Sequence, residues 1–152
     1  LTVGSPIQVG DSPTDIELAD LNGDAILDIV ILAREVLPST LFRTEVNVVM
    51  NMGGLHYAAP ARYRISGEPH SLSIGDLNAD GLPDIAVTTS TPPSIILLPG
   101  LENGQFTDPY LLVAGTDPMG LDVLDFNDDG LLDLIVSDTA SQGLRRLENT
   151  SQ

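Results

Sequence analysis

Apolar and polar residues alternate along short stretches of this chain, and each such stretch stops at a polar segment. Ile16-Glu17-Leu18 and Leu72-Ser73-Ile74 alternate, as do Leu121 and Val123 around Asp122. The segments that follow end in solid apolar runs, Ile29-Val30-Ile31, Ile85-Ala86-Val87 and Leu134-Ile135-Val136. Alternation reads as a half-buried strand, and a short β-branched run as a strand buried on both faces. Helical periodicity is sustained nowhere. The pattern predicts strands A at about 14–19, 70–75 and 119–124, and strands B at 28–33, 84–89 and 133–137. Strands C are expected at 45–51, 94–99 and 143–148, and strands D at 57–65 and 106–114.

The polar segments between A and B are three versions of one loop: Asp20-Leu-Asn22-Gly-Asp24-Ala25-Ile26-Leu-Asp28, Asp76-Leu-Asn78-Ala-Asp80-Gly81-Leu82-Pro-Asp84 and Asp125-Phe-Asn127-Asp-Asp129-Gly130-Leu131-Leu-Asp133. Oxygen side chains at positions 1, 3, 5 and 9 make a hard-cation ligand set, and calcium takes six to eight oxygens. Position 7 (Ile26, Leu82, Leu131) is apolar and can offer only its carbonyl. Glycine at position 6 admits the left-handed turn such a loop needs. An EF-hand begins in the same way but requires a glutamate at position 12 and flanking helices. Here position 12 is Ile31, Val87 and Val136, between strands. Metal-free turns would crowd at least three aspartates into each loop with nothing to neutralise them.

Other features keep step with the loops. Their first aspartates are 56 and then 49 residues apart, and a proline stands seven residues before each, at Pro13, Pro69 and Pro118. Residues 1–10 align without gaps to Phe106–Gly115, which predicts a displaced strand D at the N-terminus. The expected order is D-ABCD-ABCD-ABC, with unit boundaries at 1–10, 11–66, 67–115 and 116–152. A four-stranded unit of about fifty residues is the size of a propeller blade, so the fold expected is an all-β propeller with three blades per chain.

The repeat resembles the FG-GAP/VCBS family, the calcium-loop blades of integrin α-subunit propellers. The resemblance covers essentially the whole chain and includes the turns Gly54–Pro60 and Gly104–Pro109 as its Phe…Pro segment. It implies calcium at three sites, held by Asp20, Asn22, Asp24, Ile26 and Asp28; by Asp76, Asn78, Asp80, Leu82 and Asp84; and by Asp125, Asn127, Asp129, Leu131 and Asp133. It also implies a non-catalytic binding role, with a sugar-binding propeller as the alternative and a fragment of a larger propeller enzyme or adhesin as another. Two departures stand out. Tyr57 and Leu1 replace the family's frequent phenylalanine, and Ala25 replaces glycine, a substitution of about 1 kcal/mol at a positive φ. The first site is therefore expected to be the weakest.

Charge sharpens this picture. The 152 residues carry 22 acids against six arginines, a net of −16, and three divalent ions would bring this to about −10. So negative a surface disfavours nucleic acid and anionic lipid. Cysteine is absent, and no apolar run is long enough to span a bilayer. With neither signal peptide nor initiator methionine the chain looks like a mature or excised piece, and loops suited to millimolar calcium point to a secreted or cell-surface setting. No catalytic motif is found. His56 falls in a turn and His70 at a strand end, while Glu17, Ser73 and Asp122 share a register that could line an axial channel. Sugar sites favour aromatic platforms, and this chain has six Phe and Tyr and no Trp. Phe42 lies in the extended B–C connection 34–45, the expected contact element, and Asn149-Thr-Ser is a glycosylation sequon. Propellers usually have about four to eight blades, so a closure by these three blades alone is the least expected outcome. The expectation is that 1–9 of one chain completes the last blade of another, two chains making a six-bladed ring; a slice of a longer propeller is the alternative.

Overall fold

The computed structural model describes residues 6–37, 42–54, 56–114 and 117–150. The strands are β1 (Ser12–Ala19), β2 (Asp28–Val36), β3 (Phe42–Val49), β4 (Ala61–Ile65), β5 (Glu68–Gly75), β6 (Asp84–Ser90), β7 (Ser94–Leu98), β8 (Gly100–Leu101), β9 (Gln105–Phe106), β10 (Tyr110–Ala114), β11 (Pro118–Leu124), β12 (Asp133–Asp138) and β13 (Gly143–Leu147). They form antiparallel meanders β1-β2-β3-β4, β5-β6-β7-β10 and β11-β12-β13, plus the ribbon β8-β9. The A, B, C, D order expected within each unit is the order seen, and among the described residues the sheets are all-β and blade-like, with no helix longer than the 3₁₀ turn Glu102–Gly104.

Three expectations change. The expected strands D at 57–65 and 106–114 each break in two. Tyr57 makes one bridge to Asn51 before β4, and β9 pairs with β8 before β10 begins. Pro60 and Pro109 stand at the breaks; proline has no N–H for a ladder. The N-terminal strand lies partly outside the described residues, and Pro6–Gly10 are not in a strand. Instead Ile7 and Val9 pack on Ile31, Ala33 and Val49 of the first sheet. The B–C connection 34–45 is mostly ladder, with Arg34 opposite Thr44 and Glu35 opposite Arg43, and the Arg43–Glu35 ion pair spans it at 3.1 Å. Its tip at 38–41 lies outside the described residues.

Each inner strand has a register shift just after its proline, at Pro13/Asp15, Pro69/Ser71 and Pro118/Leu121. The missing proline donor is absorbed as a bulge.

The sheets stack in series. Val30, Leu32, Val46 and Val48 of the first sheet meet Leu72, Ile85, Val87, Ile96 and Leu98 of the second in one core. Ala86, Ile95 and Leu97 on the second sheet's other face meet Leu134 and Val136 of the third. Tyr63 of β4 and Phe106 of β9 close the first seam edge to face, with ring centroids 5.6 Å apart. The Phe106 amide donates to the Tyr63 hydroxyl at 3.2 Å. At the second seam, Gly75 allows close approach: a Cβ there would lie 2.7 Å from Val123 Cγ1. Leu72 and Ile74 thus face the blade before them, as do Leu121 and Val123. Ile16 and Leu18 hold the same register on β1 yet are 61% and 56% exposed, against 1% for Leu72.

Candidate metal centres

Each A–B loop is organised by its own amides. The first aspartate turns back over the loop and accepts from residues 5 and 6. Asp20 takes Asp24 N at 3.1 Å and Ala25 N at 2.8 Å. Asp76 takes Asp80 N and Gly81 N at 3.1 and 2.8 Å, and Asp125 takes Asp129 N and Gly130 N at 3.2 and 2.9 Å. The third-position Asn22, Asn78 and Asn127 accept from the fifth residue's amide and donate to its carboxylate. The fifth-position Asp24, Asp80 and Asp129 accept from Ile26 N, Leu82 N and Leu131 N. Alternating oxygens on an exposed turn capture N–H groups the chain would otherwise leave to water.

The ninth residue differs. Asp28, Asp84 and Asp133 are 0, 2 and 0% exposed. Each clasps two places at once: its carboxylate accepts from the amide of position 2 (Leu21, Leu77, Phe126) and from an amide just past strand C (Asn51, Gly100, Asn149). Sequence reasoning missed those last three, although Asn51 and Asn149 hold matching places in the first and third repeats. Asn51 and Asn149 also donate side-chain N–H to Leu27 O and Leu132 O, and Asn149 to Leu77 O at 2.8 Å. The sequon asparagine is thus engaged in the inter-blade seam.

Electrostatics follow burial. Asp20, open to water, is held below the usual carboxylate range, first by the Ala25 amide. Burial pushes Asp84 up, against the Gly100 and Leu77 amides, and the charges of Asp80 and Asp76 add to the rise. Among the described residues no arginine lies within ion-pairing distance of Asp28, Asp84 or Asp133.

The strain expected of Ala25 is present but shared. Ala25 has φ +65°, beside +85° at Gly81 and +88° at Gly130. Position 4 is also left-handed, and there the first loop has Gly23 where the others have Ala79 (φ +61°) and Asp128 (φ +59°). Each loop carries one glycine and one side chain in this region, so the backbone gives no reason for a weaker first site.

Each loop therefore offers three carboxylates, an asparagine carbonyl and a main-chain carbonyl, all hard oxygens. A carboxylate has about four lone-pair sites, and the amides occupy only part of them. The donors fit calcium in kind, but their arrangement is the amide-held one: among the described residues no three His, Cys, Asp or Glu side chains converge as a metal cluster.

The remaining candidates separate. His70 Nε2 lies 2.9 Å from Ser90 Oγ, and His56 closes a turn through its backbone; the two are not brought together. Glu17 and Ser73 meet across the first seam. The Glu17 carboxyl accepts from the Ser73 hydroxyl and the Ile74 amide across the first seam, and burial foremost pushes it up, with Asp15 and Asp122 adding to the rise. Asp122 stays exposed, on its neighbour Val123 N. Tyr63 and Phe106, which the sequence placed on an outer strand and in the blade core, pack on each other.

Residues 76–136, from the second loop through the third, match the family described as FG-GAP-like repeat. Integrin alpha-7 of rat is 31% identical over 132 residues, covering 78% of this chain and 11% of the rat protein. Integrin alpha-7 of mouse is 40% identical over 83 residues, covering 47% of this chain and 7% of that protein, and the human protein is 39% identical over 83 residues. The chain thus spans about a tenth of these relatives or less. The first loop, outside the family match, repeats the residues and bonds of the other two. This chain is built of FG-GAP-like repeats of the integrin α type.

Proposed function

We propose that the chain is a calcium-stabilised propeller segment that serves as a non-catalytic interaction scaffold at the cell surface or in a secreted protein. The observation that carries the calcium reading is the ninth aspartate. Three times over, a carboxylate is buried where strands A, B and C meet, beside at least two further loop aspartates and with no arginine to offset it. Burying an ionised carboxylate without a counter-charge costs several kcal/mol. A divalent ion would supply that charge, held by Asp20, Asn22, Asp24, Asp28 and the Ile26 carbonyl, and by the corresponding residues with the carbonyls of Leu82 and Leu131.

The scaffold reading rests on the FG-GAP match and on the open face of the first sheet. Ile16 and Leu18 repeat a register that is buried at both other seams, and Ile7 and Val9 lie on that same face. Another blade of this kind fits there, and we assign it to a second copy of the chain, two copies forming a six-bladed ring.

Thermal unfolding in calcium and in chelator tests the metal reading. Calcium at a hundredfold excess over its Kd stabilises by about 2.7 kcal/mol per site, and Asp84→Ala should remove one site's share. Identical melting in calcium and in chelator would overturn it.

A further inference from the structure

Half of the chain's six arginines meet in one place. Arg43, Arg62 and Arg64 line a hollow of about 450 Å³ with Glu45, Tyr63, Asp108 and Pro109. It lies where the outer strand β4 meets the turn that leads from β9 into β10, away from the metal loops. We propose that this hollow binds a small oxyanion: a carboxylate, or a phosphate or sulfate monoester.

The donors outnumber what the protein gives them. The floor is one carboxylate, Glu45, 3% exposed, and it faces all three guanidiniums. Arg62 Nη1 is 3.4 Å from it, Arg64 Nε 3.7 Å and Arg43 Nη1 3.8 Å. Only the first reaches hydrogen-bond distance. Arg43 is drawn instead to Glu35 at 3.1 Å. Each guanidinium has five N–H donors in a planar fork suited to oxyanions. The side chains of Arg62 and Arg64 are 42% and 69% exposed, so solvent and a small ligand can reach them. Tyr63 adds another group: its hydroxyl accepts from the Phe106 amide and donates to no acceptor among the described residues.

Neutralising Glu45 alone would need one arginine at close range; here three share it, and Arg62 alone of them is within hydrogen-bond distance, at 3.4 Å. The charge around the hollow limits the ligand. Asp108 on the far wall is exposed, and the chain carries −16. A polyanion laid across the site would meet both, so a single compact anionic group is favoured.

The test follows the arginine Nε–H signals by NMR while inorganic phosphate, sulfate or acetate is added at constant ionic strength to the intact chain. Saturable shifts confined to Arg43, Arg62 and Arg64 are expected, with Arg34, Arg145 and Arg146 still. A stronger response to phosphate and sulfate identifies an ester; an equal or stronger response to acetate identifies a carboxylate-bearing ligand. Arg64→Gln, at an exposed position, should weaken binding at least ~10-fold, and Arg146→Gln should leave it unchanged. Six signals drifting together with salt, no shift at all, or an Arg64→Gln variant that titrates like the parent would overturn the proposal.

Discussion

At the scale of single residues, the loops trade glycine for side chain at two left-handed positions. Because each loop keeps one of each, Ala25→Gly and Ala79→Gly should stabilise by similar amounts, up to about 1 kcal/mol, since relief of left-handed strain outweighs the added freedom of the unfolded chain. Asp128→Gly should gain less, because Asp tolerates this region better than Ala. Urea unfolding of the three variants measures the order, and a gain confined to Ala25→Gly would contradict it. Glu17 makes a prediction of opposite character. Its carboxyl is raised in the fold, so the folded chain holds that proton more tightly than the unfolded one. The contribution is present in acid and is lost as pH rises from the ordinary glutamate value through the folded one. Glu17→Gln, which cannot ionise, should therefore gain on the parent between about pH 4 and about pH 7. Parallel urea curves at the two pH values would show instead that Glu17 is indifferent.

At the scale of elements, the unit of construction is the blade with its clasp. A meander supplies three or four strands, and the ninth aspartate then joins the A–B turn to the exit of strand C. The outer strand does a different job: Phe106, 6% exposed, leaves its own blade to pack on Tyr63 of the one before. Phe106→Ala should cost about 3–5 kcal/mol, the range for truncating a buried aromatic. Calorimetry should register this loss chiefly at the seam between the first two blades, since the second seam is built from other residues. A cost below about 1 kcal/mol, the typical effect of a single substitution, would mean the seam is held by the aliphatic ladder alone.

At the scale of the whole molecule, the seams are polar as well as apolar. Asp15 accepts from the Ser71 hydroxyl and the Leu72 amide, both at 2.9 Å, and Thr88 donates to Met119 O at 2.6 Å. These bonds fix how one blade sits on the next, and the same face on the first sheet stands open at Ile16 and Leu18. If a second copy covers it, native mass measurement should find a dimer, and Ile16→Asp with Leu18→Asp should return the monomer. A parent that stays monomeric at all concentrations would leave that face to further blades of a longer chain.

Much of this was legible in the order of residues. Period-two alternation, apolar runs and a nine-residue motif recurring three times determine strands, turns and repeat, because each depends on neighbours a few positions apart. The strand breaks at Pro60 and Pro109 were also local, in a proline that cannot donate to a ladder. The rest needed the third dimension. The Asp28–Asn51, Asp84–Gly100 and Asp133–Asn149 clasps join residues 16 to 23 positions apart. That Glu17 meets Ser73, and that three arginines gather around Glu45, follows from which strands lie side by side and which sheet stacks on which. Such pairings depend on packing between elements, and the spacing along the chain carries no record of them.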